Sequence, residues 1–172
     1  MIDYDLTKIR ALVFDVDGVL SAATIAMDEE GQPLRTLNIK DGYAIQLAVK
    51  MGLQVAIITG GKGDQVRKRY EYLGVQNIYM GASVKTQCLD DLMQKVGVSS
   101  DEILYMGDDI PDYEIMQRIG LPVCPSDACD EIKALSIYVS PVTGGNGCAR
   151  DVIEQVMKAQ GLWMSDKKAF GW

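Results

Sequence analysis

Short apolar runs alternate with stretches of helical period along the chain. The strongest runs are Ala11–Phe14, 55–58 and Ile103–Met106; weaker ones lie at 77–80, Leu121–Cys124 and 137–139. Apolar runs of this length, without polar alternation, indicate strands buried on both faces. Between them Val84, Cys88, Leu89, Leu92, Met93 and Val96 recur at helical spacing, as do Val152, Ile153, Val156 and Met157. Pro111 stands where a first helical turn would begin. This alternation predicts an α/β fold: a Rossmann-like parallel sheet with helices on both faces.

One segment breaks the alternation. Residues 22–38 read as two extended arms around Glu29-Glu30-Gly31-Gln32-Pro33, a β-hairpin directly after the first strand. With 172 residues the chain fits one domain, 1–172. The tail, 161–172, loses periodicity from residue 165 and is expected to be mobile or docked on a neighbour.

Charge and composition narrow the function. The net charge of −7 argues against nucleic acid or an anionic membrane, which demand a basic face. A small anionic substrate needs only a few local cations. No apolar run approaches the ~18 residues of a membrane span, and residues 1–10 lack the apolar core of an export signal. Cys88, Cys124, Cys129 and Cys148 show no CxxC spacing and are expected to be free, buried thiols in a reducing cytoplasm. The chain has no histidine. Ser-His-Asp catalysis and His-ligated zinc are therefore excluded, leaving carboxylates, lysine, cysteine or a hard metal ion.

In open parallel sheets ligands bind beyond the carboxyl ends of the strands, so polar residues there carry weight. Asp15-Val16-Asp17-Gly18 follows the first strand; a turn at Gly18 can bring both carboxylates to the strand end. Such a pair suits a hard cation, or a nucleophile with a neighbouring acid/base. Thr59-Gly60 follows the second strong run and can hold a phosphate oxygen through a hydroxyl and bare backbone N–H groups. Lys85 opens the helix after 77–80 and, turned inward, can neutralise a phosphoryl group or a carboxylate nucleophile. Gly107-Asp108-Asp109-Ile110-Pro111-Asp112 follows the third strong run. Its acids repel one another unless a cation sits nearby, although helix N-termini also favour acids. Each element alone has an ordinary structural explanation. Together, around one sheet edge, they describe a site for Mg²⁺ and phosphate.

With these residues in place, the sequence resembles the haloacid dehalogenase superfamily of phosphotransferases. Asp15 and Asp17 match its first motif, Thr59 its second, Lys85 its third, and Asp108 with Asp112 its fourth. Residues 15–20, 38–43, 57–60, 107–109 and 144–147 further resemble the capless family of 3-deoxy-D-manno-octulosonate 8-phosphate phosphatases, of lipopolysaccharide sugar synthesis. The resemblance implies that Asp15 is the nucleophile and Asp17 the general acid/base. It implies Mg²⁺ held by Asp15, the Asp17 carbonyl and Asp108, with Thr59, Gly60 and Lys85 at the phosphoryl group. Asn38, Ile39, Lys40, Asp41, Gly42 and Arg69 match substrate-contact positions, with Arg150 a candidate for a neighbour's substrate. It also implies a phosphorylated sugar acid as substrate and a homotetramer in which hairpins meet and the Gly-rich C-terminal segment reaches a neighbouring site. Gln46 and Gly61 stand where that family usually has Arg, and Cys148 and Asp151 replace its Ala and Glu. The alternatives are a phosphatase for a nine-carbon sugar acid 9-phosphate and a phosphoryl-ligand binding module without turnover.

Overall fold

The computed structural model describes residues 1–171. After β1 (Ala11–Phe14) come the two arms β2 (Ala26–Met27) and β3 (Pro33–Leu34), then α1 (Ile39–Lys50), β4 (Gln54–Ile58) and α2 (Asp64–Tyr72). The chain continues through β5 (Asn77–Tyr79), α3 (Lys85–Val96), β6 (Ile103–Met106), α4 (Tyr113–Met116) and β7 (Leu121–Cys124). It closes with α5 (Asp130–Leu135), β8 (Tyr138–Val139) and α6 (Cys148–Ala159). Six strands pair in parallel in the order β5-β4-β1-β6-β7-β8, and β2 pairs antiparallel with β3.

The unbroken apolar runs follow from burial on both faces. Strand side chains alternate, so Leu12, Phe14, Ile57, Leu104 and Met106 face one way and pack with α1, α2 and α6 through Ile45, Val66 and Ile153. Val13, Ala56, Ile58 and Tyr105 face the other way, against Leu89 and Leu92 of α3, Ile115 of α4 and Ile132 of α5. Helix ends follow local chemistry. Asn38 caps α1, its side-chain oxygen accepting from Lys40 N at 2.9 Å and Asp41 N at 3.2 Å. Gly97 ends α3 in the left-handed conformation at φ 66°, where a Cβ is unfavourable.

The topology places the site. From β1 the chain builds β4 and β5 on one side and β6, β7 and β8 on the other. β1 therefore lies at the point where strand order reverses, and a crevice opens at the carboxyl ends of β1, β4 and β6. Asp15, Thr59 and Asp108 all follow these strands.

The expected hairpin is present after β1, its ladder two residues per arm, with Met27 and Leu34 exposed. Without a buried face, longer pairing has nothing to anchor it. The tail forms a 3₁₀ turn, Lys167–Phe170, along its own α1. There Tyr43 Oη donates to the Ala169 carbonyl and Lys50 Nζ to that of Gly171. Its last residue, Trp172, lies outside the described residues. Finally, Cys124 and Cys148 are buried, but Cys88 and Cys129 are only half-buried; all four are free. Among the described residues no helix is long and apolar enough to cross a membrane.

Candidate active site

Asp15 is fixed at the end of β1 by its backbone and its carboxylate. Its N–H donates to Met106 O at 3.1 Å, and its Oδ1 accepts from Val16 N at 2.7 Å. The chain then turns through Gly18, at φ 82°, where a Cβ would fall 1.9 Å from Asp108 Oδ2. Only glycine lets this backbone come so close to the Asp108 carboxylate.

Lys85, the first residue of α3, reaches inward. Its Nζ lies 2.8 Å from Asp15 Oδ2 and 2.6 Å from Asp112 Oδ1, with the side chain 5% exposed. Asp112 is held by three donors: Lys85 Nζ, Tyr105 Oη at 2.6 Å and Asp108 N at 3.0 Å. Burial would lower the Lys85 pKa, but Asp15 and Asp112 hold it above its ordinary value. Lys85 is therefore a fixed cation beside Asp15. Thr59 is buried; its Oγ1 accepts from Gly61 N at 3.1 Å and its carbonyl from Ala82 N at 2.9 Å, joining the loops after β4 and β5.

Asp15, Asp17, Thr59, Gly60, Lys85, Asp108 and Asp112 line one cavity of about 400 Å³. Asp15, Asp108 and Asp112 each offer an oxygen, all within 4.8 Å of one another. Burial, with Asp112 and Lys85 pulling in opposite directions, pushes Asp15 up to about 6. Burial followed by repulsion from Asp112, Asp15 and Asp109 pushes Asp108 up to about 8. Crowded hard oxygen donors whose mutual repulsion one lysine does not cancel fit a divalent cation such as Mg²⁺.

The Asp17 side chain turns away from this cluster. Both its oxygens accept from Arg35, at 2.7 Å from Nε and 2.8 Å from Nη2. Ligation by Asp17 would therefore come through its carbonyl. Arg35 and Tyr105 had no signal in the sequence, since neither follows a strand end within a motif. Asp112 had one, as the second acid of the fourth motif, but its part in aiming Lys85 was not legible.

The other sequence candidates gather outside the cavity, where α1, α2 and α6 meet. Asn38 is occupied as a cap, and Ile39 and Lys40 are exposed. Asp41 is buried, accepts from Arg150 N at 2.6 Å and leaves Oδ2 without a partner. Its burial pushes it up to about 6, against the opposing backbone hydrogen bond from Arg150. A Cβ on Gly42 would meet the Arg69 guanidinium at 2.5 Å. Arg150 is engaged by its own chain: Nε lies 2.7 Å from Glu154 Oε2, and the guanidinium stacks 4.4 Å from the Trp163 ring. The Gly-rich segment also packs on its own chain, Gly145 N donating to Val19 O at 2.8 Å. A Cβ on Gly144 would fall 1.9 Å from the Gly18 carbonyl, so glycine there supports the Asp17-Gly18 turn.

Residues 77–151 match the family model of haloacid dehalogenase-like hydrolases. The chain is 39% identical over 154 residues to the 3-deoxy-D-manno-octulosonate 8-phosphate phosphatase of Escherichia coli (strain K12), covering 90% of this chain and 82% of that protein. It is similar in structure to the phosphatase of that name from Moraxella catarrhalis in complex with magnesium ion, phosphate ion and KDO. The TM-score is 0.90 at 32% identity, over 97% of this chain and 96% of that one. The cobalt-bound enzyme from Haemophilus influenzae gives a TM-score of 0.89 at 28% identity, over 96% and 98%. With the Asp15, Lys85 and Asp108 arrangement at the switch point of the sheet, these likenesses identify the chain as a phosphoric monoester hydrolase that belongs to the haloacid dehalogenase-like family.

Proposed function

We propose that the chain hydrolyses 3-deoxy-D-manno-octulosonate 8-phosphate to the free sugar acid and phosphate, in lipopolysaccharide sugar synthesis, with Mg²⁺ as cofactor. The observation that carries the reaction is Asp15: a buried carboxylate at the switch point, paired with Lys85 and crowded by Asp108 and Asp112. The 39% identity to an enzyme of that name supports the substrate.

The chain's own groups divide the work in two displacements. The Asp15 carboxylate attacks phosphorus while Asp17 gives a proton to the departing sugar oxygen. Water then attacks the phosphoryl group on Asp15, Asp17 takes its proton, and Asp15 is restored as phosphate leaves. Lys85, Thr59 and the Gly60 backbone hold the phosphoryl oxygens. Asp15, the Asp17 carbonyl and Asp108 would hold Mg²⁺, which would supply charge to offset repulsion between a carboxylate and a phosphate dianion.

Phosphate release measured across phosphorylated sugar acids tests the substrate. The eight-carbon 8-phosphate is expected to show at least about tenfold higher kcat/KM than a nine-carbon 9-phosphate, roughly the discrimination one added carbon unit allows. A preference for the nine-carbon compound would reassign it.

The assembly we propose is a homotetramer joined through the hairpins, in the cytoplasm. Met27, Leu34, Leu37 and Ile39 are exposed together on and beside the hairpin, as apolar interfaces require. The four free cysteines support a reducing compartment. Exposed Phe170 marks the part of the C-terminal tail left to touch a neighbour. Sedimentation is expected to give a tetramer, and Leu34→Glu a smaller species. A wild-type monomer at assay concentration would rule this assembly out.

A further inference from the structure

Arg35 follows β3 on a hairpin whose adjacent Leu34 and Leu37 face solvent. Its own side chain is only 13% exposed and folds back onto Asp17. The fork pairing, Nε to Oδ1 and Nη2 to Oδ2, takes both carboxylate oxygens. The hairpin base is pinned for this reach: Thr36 N donates to Ser21 Oγ at 3.0 Å and Ala22 N to Thr36 Oγ1 at 2.9 Å. Gly61 provides the seat, since a Cβ there would fall 2.6 Å from Arg35 Nη2. A carboxyl bearing a proton keeps less acceptor capacity than a carboxylate, so this charge-assisted fork of two donors matches the carboxylate best. The fork therefore fixes both oxygens of Asp17 as oriented acceptors, the arrangement in which a carboxylate takes a proton from water.

We propose that Arg35 is a positioning residue for the hydrolytic half of the reaction, holding Asp17 as an oriented base with Gly61 as the seat of its guanidinium. The inference rests on the reading of Asp15 as nucleophile. In that half, the water oxygen bonds to phosphorus and the bond from phosphorus to Asp15 breaks. Its electron pair returns to the Asp15 carboxylate, and the water proton passes to Asp17. The guanidinium keeps Asp17 in place without entering the bond changes.

The test uses steady-state kinetics and acid-quenched single turnovers on wild type, Arg35→Ala, Arg35→Lys, Gly61→Ala and the Arg35→Ala/Gly61→Ala pair. Removing a general base outright costs about 10²–10⁴-fold, so loss of its positioning is expected to cost roughly tenfold or more in kcat. KM should fall by a similar factor, because slow hydrolysis of the phosphoenzyme lowers both. kcat/KM should stay within about threefold, and phosphate bound to Asp15 should build up above the wild-type level. Arg35→Lys should recover part of kcat, and Gly61→Ala should lower kcat but add nothing in the Arg35→Ala background. Three results would each overturn the proposal: a raised KM with unchanged kcat, a fall in kcat/KM without phosphoenzyme, or additive losses from the two sites. If Arg35→Ala does not fold, wild-type kcat in Gly61→Ala is sufficient to overturn it. Wild-type turnover, and its loss in Asp15→Asn, are measured first. Failure there removes the phosphatase reading, whereas failure of the Arg35 results in an active enzyme removes only this one.

Discussion

Asp15→Asn is expected to lower phosphate release by at least about 10⁴-fold while leaving the protein folded, as for loss of other enzymic nucleophiles. Asparagine is nearly isosteric, and its amide oxygen can still accept from Val16 N as Oδ1 does now. It cannot form the acyl phosphate, because a neutral amide has neither the charge nor the nucleophilicity of the carboxylate. The folded state should tolerate the change. Burial already works against the Asp15 charge, and neighbouring Asp112 adds to that penalty. Neutralising it relieves repulsion at the same time as it gives up the ion pair with Lys85. A melting midpoint within a few degrees of wild type, together with lost turnover, assigns the loss to chemistry. Asp17→Asn should be milder, about 10²–10⁴-fold, because proton transfer is assisted and not initiated by that group. Phosphate release that survives Asp15→Asn would remove Asp15 from the nucleophile's place.

The bounds of β1 and β6 could be read from the sequence because burial on both faces leaves no polar position inside a strand. The strand-end residues were legible for a related reason. A parallel sheet gathers the carboxyl ends of its strands, so Asp15, Thr59 and Asp108 converge once β1, β4 and β6 are recognised. What stayed hidden depends on the directions of side chains. Asp15 and Asp17 look like one acid pair, yet Asp17 turns toward Arg35, 18 positions later on a hairpin with almost no ladder to predict it. Lys85 and Asp112 are separated by 27 positions, and only the packing of α3 beside the loop after β6 brings them together. Asn38, Ile39, Lys40, Asp41, Gly42 and Arg69, carried over by resemblance, lie outside the cavity that Asp15 and Lys85 line. Asp41 is committed to the N-terminus of α6, and Arg150 to Trp163 and Glu154. At Gly61 the space a side chain would take is filled by Arg35 arriving from the hairpin.

Without a divalent cation the protein should lose stability as pH rises from about 4 to 8, and Mg²⁺ should restore most at the upper end. Asp15 is pushed up to about 6 and Asp108 to about 8, both above the ordinary carboxylate value of 3.8. Between 3.8 and these values the folded chain holds more protons than the unfolded one, so its stability falls as pH rises. A cation bound among Asp15, Asp108 and Asp112 reverses the sense, because it favours the charged carboxylates and competes with the protons. At a Mg²⁺ concentration 100 times its Kd, binding adds about 2.7 kcal/mol, which raises the midpoint of a chain this size by roughly 5–10 °C. The rise should be larger at pH 8 than at pH 5. Asp108→Asn separates the two effects. It removes one charge from the crowded cluster, so the metal-free midpoint at pH 8 should increase. It also removes a ligand, so the response to Mg²⁺ should shrink to a small fraction of the wild-type shift. Thermal scans of both proteins at pH 5 and pH 8, in chelator and in Mg²⁺, measure all of these quantities. An equal Mg²⁺ shift in wild type and Asp108→Asn would place the cation elsewhere. A metal-free midpoint that climbs between pH 5 and pH 8 would show that the acids are not crowded as their distances imply.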